Sequence, residues 1–364
     1  MKSTKTLKIR VKPKHNKKLN KMALSVNGVW NYVNALSYRS IREKRVFMSG
    51  YDLQKYTAGS SILIGLPSST IDAICTEFAI RRNKAKKAKL RWRVSKGARK
   101  NLGWIPFKKQ SIKLIDGKIR FNKMLFSMFD CGYNLEDYEL RSGNFNQDSK
   151  GNWFFNVVVH YESTDSKGAG GVGIDLGCKE AATDSDGTKV VGREFRRLEE
   201  KLAVAQRSGN KARARAIHMK IKNRRKDTLH KYSRSLVDSK EFIFVGDVSS
   251  SKLTKTKMAK SVNDAGWYML KTMLKYKSDH ASVVYREVNE SYTTQTCSNC
   301  GTLPDSRPKG IAGLGMREWS CSECGAHHDR DINAAKNILE AGHRLLVEEK
   351  RSDKGADSKR TNCA

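Results

Sequence analysis

No run of about 18 apolar residues occurs anywhere in the chain, and that is the length a membrane-crossing helix needs. The opening segment, MKSTKTLKIRVKPK, also lacks the apolar stretch of a secretion signal. Together these absences exclude a helical membrane protein and point to the cytoplasm. Acidic residues are scarce as well: 37 aspartates and glutamates stand against 71 lysines and arginines, a formal charge of +34 over 364 residues. A compact state so charged repels itself unless a polyanion binds, so nucleic acid is the expected partner. Paired cysteines are few. Of eight, Cys75, Cys131, Cys178 and Cys363 are isolated, which argues against a disulfide framework.

Residues 1–14 alternate apolar and basic side chains, with Leu7, Ile9 and Val11 marking a half-buried strand. From about Asn16 apolar positions recur at helical spacing. Pro67-Ser68-Ser69 then opens a second helical stretch that ends in IRRNKAKKAKLRWR at residues 80–93. Short alternating runs return between about Trp92 and Tyr161, with turns at Asp116-Gly117 and Gly151-Asn152. The economical topology completes one β-barrel from 1–14 and 92–165 and leaves the helices of 15–91 as an insertion. SKGAGG, at 166–171, reads as a flexible linker and a domain boundary. Beyond it the order is strand, hairpin, long basic helix, strand, helix, strand, insertion, helix. A solvated, disordered tail is expected over 347–364. The fold class is thus multi-domain, α+β then α/β.

Cys297-Ser-Asn-Cys300 and Cys321-Ser-Glu-Cys324 are separated by 20 residues, and each pair is followed by a glycine. A C-x2-C turn brings two thiolates to one ion, and two such turns complete a closed tetrahedral zinc site. A redox pair would not explain why the motif occurs twice. Four cysteines saturate the ion, so His327 and His328 read as neighbours of the site and not ligands.

VGIDLG, residues 172–177, is an apolar strand carrying one aspartate, Asp175. A carboxylate there is costly unless paired or metal-bound, although a turn or cap role would explain it on its own. EAATDSDGTKVV follows with a hairpin turn at Asp186-Gly187. An Asp-bearing strand followed by a hairpin is how an RNase H fold begins. FIFVGDV (242–248) and ASVVYREV (281–288) are buried-type strands, and Asp331 opens an apolar-faced helix in HHDRDINAAKNIL. Acids from separate elements can then converge at one sheet edge and hold magnesium or manganese for phosphodiester hydrolysis.

GVGIDLG, IKNRRKDTLHKYSRSLV (221–237), SVNDAGWYMLKTMLKYKS (261–278), YTTQTCSNCG (292–301) and HDRDINAAKNIL (328–339) together resemble the TnpB family. TnpB proteins belong to bacterial insertion sequences and are related to the type V CRISPR effectors. The resemblance covers the C-terminal half; over 1–165 only the order of elements agrees. It implies an RNA-guided DNA endonuclease that binds a guide RNA, checks a motif beside the target and cuts double-stranded DNA, acting as a monomer in its ribonucleoprotein. It also implies a wedge-like barrel with a helical recognition module (15–91), a RuvC-like, RNase H-fold core (166–291 and 326–346) and a zinc-ribbon insertion (292–325). Asp175 matches the first catalytic position and Asp331 the last, with Asp329 a nearby competitor.

The middle acid departs from the pattern. Where many members read Glu-Asp-Leu, this chain reads Gly246-Asp247-Val248. Asp247 is no simple substitute, because neighbouring side chains on a strand face opposite ways. Glu290, at the end of the next strand, matches a relocated glutamate seen in some relatives, and Glu287 is the weaker alternative. The expected site is therefore Asp175, Glu290 and Asp331. The basic run from Arg193 to Lys231 would track a heteroduplex backbone, and Trp92, Trp104, Phe107 and Tyr133 could stack unpaired bases if they are not core. Two other functions fit the composition: a guided DNA-binding repressor that has lost cleavage, which Gly246 would explain, and an RNA-binding accessory of transposition.

Overall fold

A computed structural model of the chain describes residues 2–360 apart from 98, 131, 163–167, 250–252, 254, 256–258 and 311. Two of the isolated cysteines, Cys131 and Cys363, lie outside the described residues, as do 166–167 and 361–364. The chain divides into two compact units, Met1–Glu162 and Ser163–Ala364. Both mix helix and sheet.

In the first unit, β1 (Lys2–Arg10) pairs antiparallel along its whole length with β7 (Trp153–Glu162), from Lys2 opposite Glu162 to Arg10 opposite Phe154. β6 (Glu139–Gln147) and β2 (Trp104–Phe107) extend this sheet in the order β1-β7-β6-β2. The strands β3 (Ile112–Ile115), β4 (Lys118–Phe121) and β5 (Met124–Phe126) form a separate three-stranded sheet. The expected closed barrel is not formed. One isolated bridge, Val11 to Met128, joins the region after β5 to the end of β1, whereas closure needs a continuous ladder. Strands of three and four residues cannot supply one. Side-chain packing holds the two sheets together instead, through a buried cluster of Phe107, Phe121, Phe126, Phe145 and Phe155. Phe107 is thereby core, not a base-stacking platform, and Trp104 packs edge-on to Trp30. Trp92 and Tyr133 are exposed.

The helices of this unit are α1 (Asn16–Lys44), α2 (Gly50–Thr57), α3 (Ser61–Ile64) and α4 (Ser68–Ala85). α4 stops earlier than the basic sequence suggests, with Lys86 in the left-handed region. Residues 90–93 then run extended along α1, where Asn34 and Asn31 pair with the backbone of Leu90 and Arg93, and Asn27 accepts from the Arg93 guanidinium. Three asparagines one helical turn apart thus outcompete continued helix.

The second unit is built on a five-stranded sheet, β10-β9-β8-β11-β12. β8 (Gly171–Asp175), β9 (Glu180–Asp184) and β10 (Lys189–Val191) form an antiparallel meander. β11 (Phe242–Gly246) and β12 (Val284–Val288) add in parallel on the other side of β8. Both faces are covered, so β11 reads as an unbroken apolar run. Ile243 and Val245 pack with Leu236, Leu270 and Leu274, while Phe244 turns the other way onto Ile338. Helices α5 (Glu194–Arg207) and α6 (Lys211–Ser239) precede β11, and α7 (Ala259–Ala265) and α8 (Trp267–His280) follow it. The basic run is two helices, not one: Gly209 takes a positive φ and the Asn210 side chain caps α6. The expected linker differs too. Ala169 and Gly170 are pinned by backbone hydrogen bonds to Ser239, Glu241 and Phe242.

The last helix, α9 (Arg330–Arg360), lies against β8. Gly173 permits this, since a Cβ there would fall 2.0 Å from the Ala335 carbonyl oxygen. α9 also continues to Arg360 through the segment expected to be a disordered tail. Alanine, lysine, glutamate and arginine are all good helix formers, and they carry the helix onward. No helix among the described residues is long and apolar enough to cross a membrane.

Candidate functional site

Two clusters stand on this second unit. β13 (Glu318–Ser320) and β14 (His327–Asp329) form a short hairpin with the second cysteine pair at its turn. The two C-x2-C turns have matching geometry. Gly301 N–H donates to the Cys297 carbonyl and Gly325 N–H to the Cys321 carbonyl, and both glycines take positive φ, at 76° and 70°. The four Sγ atoms lie within 4.8 Å of one another. Cys297 to Cys324 is 3.7 Å and Cys300 to Cys321 is 3.8 Å. Four thiolates at ~2.3 Å from a central ion in tetrahedral geometry would be ~3.8 Å apart. The cluster therefore has the donors and the spacing to hold a metal ion. Cys297 is buried, which pushes its thiol up, while hydrogen bonds from Thr302 hold the exposed Cys300 below the usual thiol range. His328 Nε2 lies 3.0 Å from the Cys297 sulfur, and its ring packs tilted against Trp319, beside the cluster. His327 turns to Ser320.

The cysteine region is braced onto α9 by two asparagines one turn apart. Asn333 accepts from Ser298 N–H, and Asn333 and Asn337 both donate to the carbonyls of Thr293 and Thr296. Four residues before Ala335, Asp331 lies in the first turn of the same helix. Asp329 caps it, accepting from the backbone N–H groups of Asp331 and Ile332 and pairing with Lys189 at 2.5 Å. Burial works to raise the Asp329 carboxyl, but Lys189 and those backbone groups outweigh it and hold it low. Asp329 is thus spent on the cap.

Asp175 ends β8, half-buried. Burial first, then the charges of Asp331 and Glu290, push its carboxyl up to about 7, with Arg330 and the Leu176 N–H pulling the other way. Glu290 follows β12 and leans over the end of β11. A Cβ built on Gly246 would lie 2.9 Å from Glu290 Oε2 and 3.4 Å from its Cβ. The space vacated by the missing side chain is occupied by that carboxylate. Burial, then Asp247, raises Glu290, and Lys271 opposes this. Asp247 itself is exposed, and Glu287 is tied to Lys271 at 2.8 Å and to Tyr285 at 3.1 Å. Asp331 is held by Arg317 at 3.0 Å and by Arg330 at 3.2 Å. Asp175, Glu290 and Asp331 thus share one electrostatic neighbourhood. They are looser than the thiols: among the described residues only the cysteines have all ligand atoms within 4.8 Å.

Residues 267–338, which include all four cysteines and two of the three acids, match the family model described as Cas12f1-like, TNB domain. A putative RNA-guided DNA endonuclease of Streptomyces pristinaespiralis is 35% identical over 212 residues, 54% of this chain and 51% of that protein. Over that stretch the chain is similar to a curated endonuclease, and the resemblance extends to a second one. InsQ of Escherichia coli K12, another putative RNA-guided DNA endonuclease, is 29% identical over 231 residues, 55% of this chain and 56% of InsQ. The chain spans about half the length of the curated relatives it matches. Among solved structures, a Cas12f1 chain from a complex with sgRNA and target DNA aligns with TM-score 0.59 over 93% of this chain and 99% of its own, at 12% identity. That likeness shows a shared mixed α+β fold.

Several residues that shape this candidate site carry little signal in the sequence. Trp267 donates its indole N–H to the Gly177 carbonyl, fixing the turn that follows Asp175. Buried Asp264 accepts from Phe195 N–H with both oxygens and pairs with Arg225 at 2.7 Å, anchoring α5 and α6. Both lie in one quoted motif, SVNDAGW, where polar residues inside an apolar helical pattern were the available signal. Arg317 and Arg330 had none beyond general basicity.

Proposed function

We propose that this chain is an RNA-guided DNA endonuclease associated with a transposable element, cutting double-stranded DNA after a guide RNA has paired with the target. The observation that carries this reading is the set of three carboxylates at one end of the β8-β11-β12 sheet, with Asp175 pushed up by burial first and then by the charges of the other two. Carboxylates that repel one another at a buried sheet edge are costly unless a cation compensates them. Their hard oxygen donors suit magnesium or manganese, which when bound would activate water and stabilise the leaving oxygen. Asp175 and Asp331 would be two of the ligands and Glu290 the third, reaching the site from β12 in place of the side chain absent at Gly246. In the same reading the five-stranded unit is a RuvC-like, RNase H-type core and the four cysteines hold a structural zinc ion.

The relatives' names and the complex of the solved Cas12f1 chain support guide RNA and target DNA as partners. The charge of +34 supports a polyanion. The first unit would serve as the wedge-like and recognition part, and 292–325 as the zinc-ribbon insertion, in a monomeric ribonucleoprotein of the bacterial cytosol. A guided repressor that binds without cutting is the second reading, and Gly246 is the observation in its favour. Plasmid cleavage by the chain purified with RNA from its own locus separates the two. Magnesium-dependent cutting that Asp175→Ala abolishes is expected; target binding without any cutting by the unaltered chain would establish the repressor.

A further inference from the structure

Asp331 is not free to meet a cation. It carries two arginine partners of different character. Arg330, its chain neighbour, is largely covered and also donates to the Gly313 carbonyl. Arg317 reaches it from the start of the β13-β14 hairpin, with Nη1 3.0 Å from Oδ2 and 3.4 Å from Oδ1, and nearly half of its side chain remains open to solvent. Its backbone is fixed while its head group is not: the Arg317 carbonyl accepts from Arg330 N–H at 2.8 Å. A guanidinium on an anchored stem, in water, next to a carboxylate that a divalent cation would claim, has somewhere to go when the cation arrives. Its planar fork suits the nonbridging oxygens of a phosphodiester.

We propose that Arg317 is the resting counter-ion of Asp331, surrendering that carboxylate to a divalent cation and turning to the target phosphate. The four-cysteine hairpin would thereby couple substrate arrival to assembly of the cation site. This rests on the reading of Asp175, Glu290 and Asp331 as cation ligands. It makes Arg317 a brake on metal binding and an aid to cutting, two effects of opposite sign that a merely structural arginine would not produce.

The test is calorimetric titration of Mn2+ into the full, RNA-free chain, paired with cleavage by the RNA-loaded chain at saturating Mn2+. Arg317→Gln is expected to bind Mn2+ about three- to tenfold more tightly, having lost a competing ion pair, and to cut about ten- to a hundredfold more slowly, having lost a phosphate contact. Arg317→Lys, keeping the charge without the fork, should return Mn2+ affinity to that of the unaltered chain and restore cutting only in part. Unchanged or weaker Mn2+ affinity in Arg317→Gln, with zinc content intact, would overturn the proposal. If the unaltered chain shows no Mn2+ site that Asp175→Ala removes, the underlying reading of the acids fails instead.

Discussion

Asp175 is a carboxylate whose burial costs the fold stability near neutral pH. Its carboxyl, pushed up to about 7, holds a proton in the folded chain at pH values where the unfolded chain has released it. The sign follows from linkage. Stability from this group is fully present below about pH 4, declines as pH rises, and is lost once pH passes about 7. Metal-free Asp175→Asn should therefore be more stable than the parent at pH 8, by on the order of a few kcal/mol, with the difference shrinking toward pH 4. Thermal melts in chelator across that range check it, and a gap that widens toward acid would contradict it. The places of Asp175 at a strand end and Asp331 at a helix start were readable from the local pattern, whereas a shared role for them was implied only by the resemblance. The placement of Glu290 was legible only as a compensation for Gly246. Arg317 was invisible, since nothing in a sequence with 71 basic residues marks one arginine as facing an acid fourteen positions away.

Among the elements, the α5-α6 pair depends on a remote anchor. Asp264 accepts from the Phe195 N–H in the first turn of α5 and pairs with the partly covered Arg225, so Asp264→Ala leaves that donor without its acceptor and that cation without this carboxylate. A loss of about 2–4 kcal/mol is expected, read as a fall in the denaturation midpoint; a change under about 0.5 kcal/mol would show the anchor to be dispensable. The cysteine turns give a second test. Cys300→Ser should abolish stoichiometric zinc and expose the hairpin to proteolysis, measured by elemental analysis and limited digestion. The order of elements along the second unit and the two C-x2-C turns were readable because periodicity and fixed spacing are local properties. The end of α4 was not, because the asparagines that capture residues 90–93 lie some sixty positions away on α1. Barrel closure failed as an expectation for a related reason: alternation identifies strands but says nothing of whether the short ones, β3 to β5, join the others in one continuous ladder.

For the whole molecule, charge dominates. An excess of 34 positive charges makes nucleic-acid affinity a matter of counterion release, so guide-RNA binding should weaken by about a thousandfold or more between about 50 and 200 mM salt. Filter binding across that range checks it, and a change under about tenfold would mean that few phosphates are contacted. Composition alone made the polyanion legible. The acids that would act on it became legible only as an ordered set, since each of the three admits an ordinary structural role by itself.

The Glu290 carboxylate stands where a side chain at position 246 would otherwise be. Magnesium-dependent plasmid cleavage by the RNA-loaded chain tests it most directly, using Glu290→Ala, Asp247→Ala and the double variant Gly246→Glu/Glu290→Ala. Glu290→Ala should stop cutting, Asp247→Ala should retain it, and the double variant should recover it at least in part. Cutting that survives Glu290→Ala but not Asp247→Ala would contradict the account.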